Sequence, residues 1–454
     1  MSAIIGSTRR ILLRALLVTI FLPAPLWQWT VDETRIIEPF NSVVIYLTDV
    51  AGLAFVGATA AWLVVEGRSF RWGDRRITGI IFALVALNTL SLAWASVPAL
   101  ALTTAMHWGL VAAVYLCVVN STEDFIDLAP AICWLVAAES VVGMLQLLSD
   151  STLVNRWLLG WPDELYGLKW GSSVENADGM RLLRAYGTVA HPNHLGGYAA
   201  IAILILIGAS LSGQTGLSRM HWRLSLGLGV WLLLLTFSRG AWLAFGLAFV
   251  YLLLATRRRA YRYLPLIGEL VGITLLFLSI FWPWVIQRIQ TSSVRVERVS
   301  IQDRTDLLST AWKLIESHPL TGTGGGNYMR GVLQLPDAPG TPIPVHNPVL
   351  MAAGELGIGG GVLVLAVWAV IVHAAWFRRH SAVAATAHGV MLAVIVANAF
   401  DLYIWGLASG RLLLGLLLGL WVNSQCQAKN ETQQIQILGS EARLRAASGR
   451  TWGC

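Results

Sequence analysis

The sequence predicts an all-α, polytopic membrane protein, and three observations predict it. Its 454 residues are 56% hydrophobic and only 13% charged, with a mean hydropathy of +0.64, far from the mix of a soluble domain. Apolar runs recur at a length that crosses a bilayer, which takes roughly 20 helical residues. Lys and Arg gather in alternate short loops, as the cytoplasmic loops of membrane proteins do.

In order, the apolar segments fall near residues 11–28, 40–65, 77–97, 99–119, 126–148 and 187–211, then 222–237, 239–256, 262–285, 348–377, 381–400 and 403–423. That makes about twelve helices by window counting. The first segment, RRILLRALLVTIFLPAPLW, has the charged start and apolar middle of a signal peptide. No small-x-small cleavage pattern follows it closely, so it is read as an uncleaved first helix. Arg9 and Arg10 precede helix one; Arg68, Arg71, Arg75 and Arg76 follow helix two; Arg257, Arg258, Arg259 and Arg262 follow helix eight; Arg378 and Arg379 follow helix ten. These loops share one face if the N-terminus is cytoplasmic, and an even helix count returns the C-terminus there. The net charge of +7 is then mostly topological, and no nucleic-acid partner is read from it. Cys117, Cys133, Cys426 and Cys454 show neither a disulfide framework nor zinc spacing.

The chain reads as one transmembrane bundle domain, 1–423, followed by a polar tail, 424–454, that reads as disordered and cytoplasmic. No convincing internal repeat is present, so an inverted-repeat carrier is not supported. Two long non-membrane stretches, about 149–186 and 286–347, fall on the outer side, where long loops tend to carry function. Within the second, DRTDLLSTAWKLIESHP places Leu307, Leu308, Ala311, Trp312, Leu314 and Ile315 at helical spacing. This predicts an amphipathic helix capped by Asp303 and stopped by Pro319, lying along the membrane or packed on the bundle.

The residues that could do chemistry cluster in a few stretches. In RLLRAYGTVAHPNHLGGY, residues 181–198, a loop with Arg181 and Arg184 runs into helix six through Pro192, with His191, Asn193 and His194 at its start. A helix N-terminus offers free N–H groups and a positive dipole end to phosphate oxygens. Alternatively Pro192 and Asn193 only cap the helix and Arg184 reaches lipid headgroups. His191 and His194 as a metal pair is a third option, with no third ligand near in sequence. In TFSRGAWLA, Ser238, Arg239 and Gly240 form a tight turn between two apolar helices. Arg239 either meets headgroup phosphate or points inward at a fixed anion. The run TGTGGGNY, residues 321–328, lacks the Lys-Ser/Thr of a phosphate loop and is read as backbone turning.

His346 stands in IPVHNPVLMAAGELGIGGG at the mouth of helix ten, where an imidazole is suited to accept a proton near neutral pH. By itself, a lone histidine is more often structural than catalytic. Glu355 lies more than two turns deeper and either orients His346 through intermediates or partners a polar group of another helix. Glu139, near the middle of helix five, is read as structural, hydrogen-bonded by Asn88 or Gln146, although isolated acids at that depth also serve as ion or proton sites.

RAYGTVAHPNHLGGY, TFSRGAWLA, DRTDLLSTAWKLIESHPLTGTGGGNY and VHNPVLMAAGELGIGGG, in that order, resemble the O-antigen ligase/polymerase superfamily of bacterial membrane glycan-assembly proteins. The resemblance covers about residues 180–400. It implies a bundle like that of the GT-C glycosyltransferases, in the bacterial inner membrane, with a periplasmic site. Ligases of this kind transfer a glycan from undecaprenyl diphosphate to a sugar hydroxyl of lipid A-core, and polymerases join lipid-linked repeats. By motif, the resemblance makes Arg184, Arg239 and Arg304 candidates for the diphosphate and His346 the essential histidine, with Asn347 beside it. It implies no cofactor, neither metal nor nucleotide triphosphate. The implied partners are the lipid-linked donor, a lipid A-core or other glycan acceptor, and membrane lipids.

Physical chemistry fits the same reading. Arginines neutralise a departing diphosphate without a metal, and a histidine takes the acceptor's proton. From another class comes a small-anion transporter with Glu139 and buried arginines as its pathway. A scaffold with no site would be indifferent in turnover to substitution at Arg184, Arg239 and His346.

Overall fold

The computed structural model describes residues 2–32, 36, 40–152, 171–213, 218–257, 263–290, 295–377 and 381–426, with backbone alone for 295–304. The fold is a helical bundle. Eight described helices are long and apolar enough to cross a membrane. They are α2 (Leu47–Glu66), α3 (Arg75–Leu90), α4 (Pro98–Val119), α5 (Ala129–Ser149), α6 (Pro192–Ser212), α9 (Leu264–Ile289), α12 (Pro348–Phe377) and α13 (Ala382–Ala399). Four further helices fall on the remaining predicted segments: α1 (Ser2–Phe21), α7 (Arg219–Leu235), α8 (Arg239–Ala255) and α15, residues 408–426. Between the long helices lie α10 (Arg295–Ser317) and the short α11 (Tyr328–Leu333) and α14 (Tyr403–Gly406).

The core is built around α6, the most deeply buried of the eight candidate spans, which packs against α7, α8 and α13. Its small residues, Gly196, Gly197 and Gly208 with several alanines, let backbones approach closely, as helix packing in lipid requires when the apolar solvent supplies no hydrophobic drive. Hydrogen bonds gather the loops into two ends. At one end Trp94 donates to the Thr321 carbonyl, Val97 N–H to Asn327, Arg330 to Asp32, Arg184 to the Thr236 carbonyl and Trp284 to that of Met180. This end carries the N-termini of α2, α4, α6, α8, α12 and α15. At the other end Arg71 binds the Val119 carbonyl and Asn120, and Arg9 binds Glu123. The basic loops that predicted the cytoplasmic side lie there, apart from residues 258–262, 378 and 379, which fall outside the described residues.

The Arg9–Glu123 pair is bidentate, both contacts at 2.6 Å, and both side chains are buried. Arg9 also lies 4.4 Å over the Trp62 ring. Burial raises the Glu123 carboxyl, but the hydrogen bonds and charge of Arg9 outweigh it and hold the group below the ordinary range. Its stabilising contribution is therefore full at neutral pH and is lost as pH falls through the lowered value. Glu123→Ala strands a buried guanidinium and is expected to cost about 3–5 kcal/mol, read as a lower thermal midpoint of the purified protein.

Four expectations are corrected. The structure is not purely helical where segments one and two meet: Pro25–Thr30 (β1) and Ser42–Tyr46 (β2) form an antiparallel hairpin with Trp27 opposite Ile45 and Thr30 opposite Ser42. Hydropathy windows are blind to period, and SVVIY is rich in the β-branched and aromatic residues that favour strands. A second hairpin joins Ser173–Glu175 (β3) to Arg181–Leu183 (β4). Helix α10 begins at Arg295, so Asp303 lies inside it and is not its cap. Its buried residues are Ala311, Leu314 and Ile315, whereas Leu308 and Trp312 are exposed, so the predicted apolar stripe is split between core and surface. Finally, α15 runs through residues 424–426, with buried Ser424 donating to the Leu420 carbonyl. The remainder of the predicted tail, 427–454, lies outside the described residues.

Two glycine-rich motifs prove to be mates. Helix α12 breaks at Gly357 (φ 72°, ψ −179°), and residues 319–324 occupy the break. Ile358 N–H donates to Pro319, Thr323 N–H to Gly354 and Gly324 N–H to Glu355. A Cβ on Gly357 would meet the Leu320 carbonyl, and one on Gly322 the backbone of Glu355. The turning role read for TGTGGG is thus a close backbone seam with ELGIGGG. Gly357→Ala combines that collision with a left-handed φ and is expected to destabilise by about 1–3 kcal/mol or more, measured as a reduced melting temperature.

Candidate functional site

The candidate site forms where α6, α8, α12 and the α13–α14 connection converge. Each helix begins with the chemistry of a helix start. Pro192 and Pro348 are first residues, where a missing N–H costs nothing. His191 caps α6, its Nδ1 accepting the Asn193 N–H at 3.2 Å. Ser238 caps α8 through the Ala241 N–H. Asn347 caps α12, its Oδ1 accepting the Val349 and Leu350 N–H groups at 3.0 and 3.2 Å, while its Nδ2 reaches the Ala399 carbonyl at 3.4 Å. That last bond ties the start of α12 to the end of α13 and sets His346 beside Asp401. Converging N-termini leave this end with a positive field suited to an anion.

Asp401 organises the imidazoles. It is buried, its Oδ1 accepts the Leu402 N–H at 2.7 Å, and the same oxygen lies 3.5 Å from His194 Nε2 and 3.7 Å from His346 Nδ1. Burial opposes its charge, but the two histidines more than compensate and hold the carboxyl well below the ordinary range, so it is a carboxylate at neutral pH. His346 is 36% exposed, and with Nδ1 turned to Asp401 its Nε2 is the nitrogen left for a substrate. His191 is pushed well below its ordinary value by burial, then by His194 and Arg184, so it stays neutral.

Beside Asp401 opens a cavity of about 320 Å³ whose wall includes Asn193, Ser238, Arg239, Arg288 and Phe400. Arg239 donates to the Arg288 carbonyl at 3.0 Å, and Arg288 to the Phe237 carbonyl at 3.3 Å, which fixes two cationic groups on one wall. Arg239 thus turns toward the Arg288 backbone and the cavity beside Asp401. Arg184 is buried behind that wall. Its guanidinium donates to the Thr236 carbonyl (2.6 Å), Ser172 hydroxyl (2.7 Å) and Asn193 amide oxygen (2.6 Å). It braces the loop and contributes field more than open donors. Arg181 lies apart on β4, exposed and bound to Ser173 Oγ. The Arg304 side chain lies outside the described residues.

Glu355 takes the partnering role: its Oε2 accepts the indole N–H of Trp405 at 2.8 Å. Glu139 is bound by Thr188, through N–H at 2.8 Å and hydroxyl at 2.5 Å, and Gln146 grips the adjoining Tyr186 and Gly187 backbone. Neither Asn88 nor Gln146 is its partner in these contacts. Glu139 and Gln146, both on α5, thus hold the loop that delivers His191 and His194. Asp401 and Arg288 were not singled out from the sequence. The signal for Asp401 was a lone acid in NAFDLYIW between two apolar runs, costly unless partnered. Arg288 lay in the last turn of α9 with no such mark.

His191, His194 and Asp401 also present ligand atoms within 4.8 Å of one another, supplying the third ligand that sequence spacing lacked. The donor set suits a divalent cation in number. Asp401 Oδ1 already faces two imidazoles and accepts a backbone N–H, whereas its Oδ2 is buried with no hydrogen-bond partner among the described residues.

Residues 224–365 match a family model described as O-antigen ligase. The matched stretch contains Arg239, Arg288, Arg304, His346, Asn347 and Glu355, whereas Arg184, His191, His194 and Asp401 lie outside it. No curated protein matches the chain.

Proposed function

We propose, from the match of residues 224–365 to the O-antigen ligase family model, that this chain is a membrane glycan ligase working on the periplasmic face of the bacterial inner membrane, both termini cytoplasmic. The donor is a glycan on undecaprenyl diphosphate and the acceptor a sugar hydroxyl of lipid A-core. One observation carries this reading: a half-exposed histidine backed by a buried carboxylate stands beside an arginine-walled cavity at one end of the bundle.

His346 Nε2 takes the acceptor hydroxyl proton as that oxygen attacks the anomeric carbon. Asp401 is a positioning residue that holds the ring and favours the imidazolium as it forms. The bond from the anomeric carbon to the diphosphate oxygen breaks, and Arg239 and Arg288 receive the charge on the departing group. Arg184 adds its field through Asn193, and Arg304 is assigned with them from the resemblance alone. Direct displacement inverts the anomeric centre. All the energy comes from the glycosyl diphosphate, so no nucleotide is needed.

The test gives purified protein a lipid-diphosphate-linked glycan together with a lipid A-core acceptor and resolves the products by mass. Glycan on the core supports the ligase. Lengthened lipid-linked glycan makes the enzyme a polymerase at the same site. No transfer to either acceptor returns the transporter reading. EDTA is expected to leave the rate within about twofold, whereas a loss restored by one divalent cation would give His191, His194 and Asp401 a ligand's role.

A further inference from the structure

A second polar cavity, of about 60 Å³, lies at the same end of the bundle, walled by Tyr46, Thr103, His107, Glu355, Trp405 and Arg411. Around it runs a buried network absent from any sequence motif. Asp49 Oδ2 accepts the Tyr46 N–H at 2.9 Å and lies 3.4 Å from His107 Nε2. His107 Nδ1 accepts from Arg411 at 2.9 Å, and Arg411 also donates to the Trp405 carbonyl at 2.8 Å. The indole N–H of Trp405 ends the chain on Glu355. Arg411 Nε and Asp49 Oδ1 are buried with no partner among the described residues.

Four ionisable groups at one buried place are costly and unusual in a membrane bundle unless they serve a ligand. Two orphaned atoms add to that cost. The set does not suit an anion, because two acidic side chains, Asp49 and Glu355, share the place with the one guanidinium. It suits a neutral polyol. Each hydroxyl donates and accepts, as carboxylate, imidazole and guanidinium together demand, and Trp405 and Tyr46 offer aromatic carbon to ring C–H groups. The volume holds about two waters at liquid density, which matches the hydroxyl-bearing edge of one sugar residue and not a length of chain. Position connects it to the first site, since α12 begins beside His346 and carries Glu355, and Trp405 follows Asp401 by four residues.

We propose that this cavity is a subsite for one neutral, hydroxyl-rich sugar residue of the glycan, held away from the bond that reacts; this rests on the glycan-transfer reading above. The test is saturation-transfer NMR on the full chain in detergent with methyl glycosides of glucose, galactose, mannose, rhamnose and N-acetylglucosamine. Farnesyl diphosphate serves as a separate probe of the Arg239 cavity. Thr103→Phe fills the cavity from a partly exposed position of α4, and Arg411→Gln removes the central donor. At least one glycoside is expected to bind the wild type and to lose about tenfold in affinity in both variants, with farnesyl diphosphate binding unchanged. The melting temperature of Thr103→Phe guards against misfolding. No glycoside binding, or binding indifferent to both substitutions while farnesyl diphosphate still binds, overturns the proposal. Failure of farnesyl diphosphate to bind the wild type would instead count against the donor site itself.

Discussion

His346→Ala is expected to lower glycan transfer by about 10²- to 10⁴-fold, the range that one positioned general base supplies. The loss should fall on kcat, with the KM for the lipid-linked donor little changed, because the proposed mechanism sets His346 toward the acceptor hydroxyl and the diphosphate on the arginine wall. Its side chain is only half-buried, before the first turn of α12 and outside the capping bonds of Asn347. Folding should therefore survive, and an unchanged melting temperature makes the kinetic loss interpretable. Asp401→Asn keeps the shape but removes the charge behind the ring. A kcat drop of about 10²-fold or more is expected there, with donor binding retained. A His346→Ala enzyme that transfers at the wild-type rate would remove the base from the account.

Arg239→Ala is expected to lower kcat/KM for the donor by about 10²- to 10³-fold, the usual effect of losing one donor aimed at developing charge. Charge on the departing diphosphate grows as its bond to the anomeric carbon breaks, so both binding and turnover should suffer. Arg239→Lys restores the charge without the planar fork that meets two phosphate oxygens together, and should recover only part of the rate. Arg288→Ala, on the same wall, should weaken donor binding in the same direction. Steady-state rates against donor concentration separate these outcomes, and a rate indifferent to both arginines would empty the cavity of its assigned ligand.

Much of the site was legible because its residues stand at helix starts, which punctuate the sequence. Pro192 and Pro348 mark the starts of α6 and α12, and His191, Asn193, His194, His346 and Asn347 stand beside them. Arg239 was legible because a three-residue turn leaves an arginine few places to go. What pairing determines was not legible. Arg9 meets Glu123 across 114 residues, Glu139 meets Thr188 across 49, and Asp401 collects imidazoles from two distant helices. The hairpin of β1 and β2 escaped because apolar averages over a window do not distinguish a period of two from one of 3.6. The two faces of α10 were separated by which neighbour covers them, not by the spacing of Leu308 and Trp312. The seam between Gly322 and Gly357 was visible only as two glycine-rich runs with no reason to be matched.

The measurement closest to the central claim is the configuration of the newly made glycosidic bond. Product from purified enzyme, lipid-diphosphate-linked glycan and acceptor would be isolated, and its anomeric proton coupling compared with that of the donor by NMR. A single displacement with His346 as base predicts an inverted centre and one lipid diphosphate released per glycan transferred. A retained configuration would require a covalent or second displacement step that His346 and Asp401, as placed, do not provide, and would contradict the account.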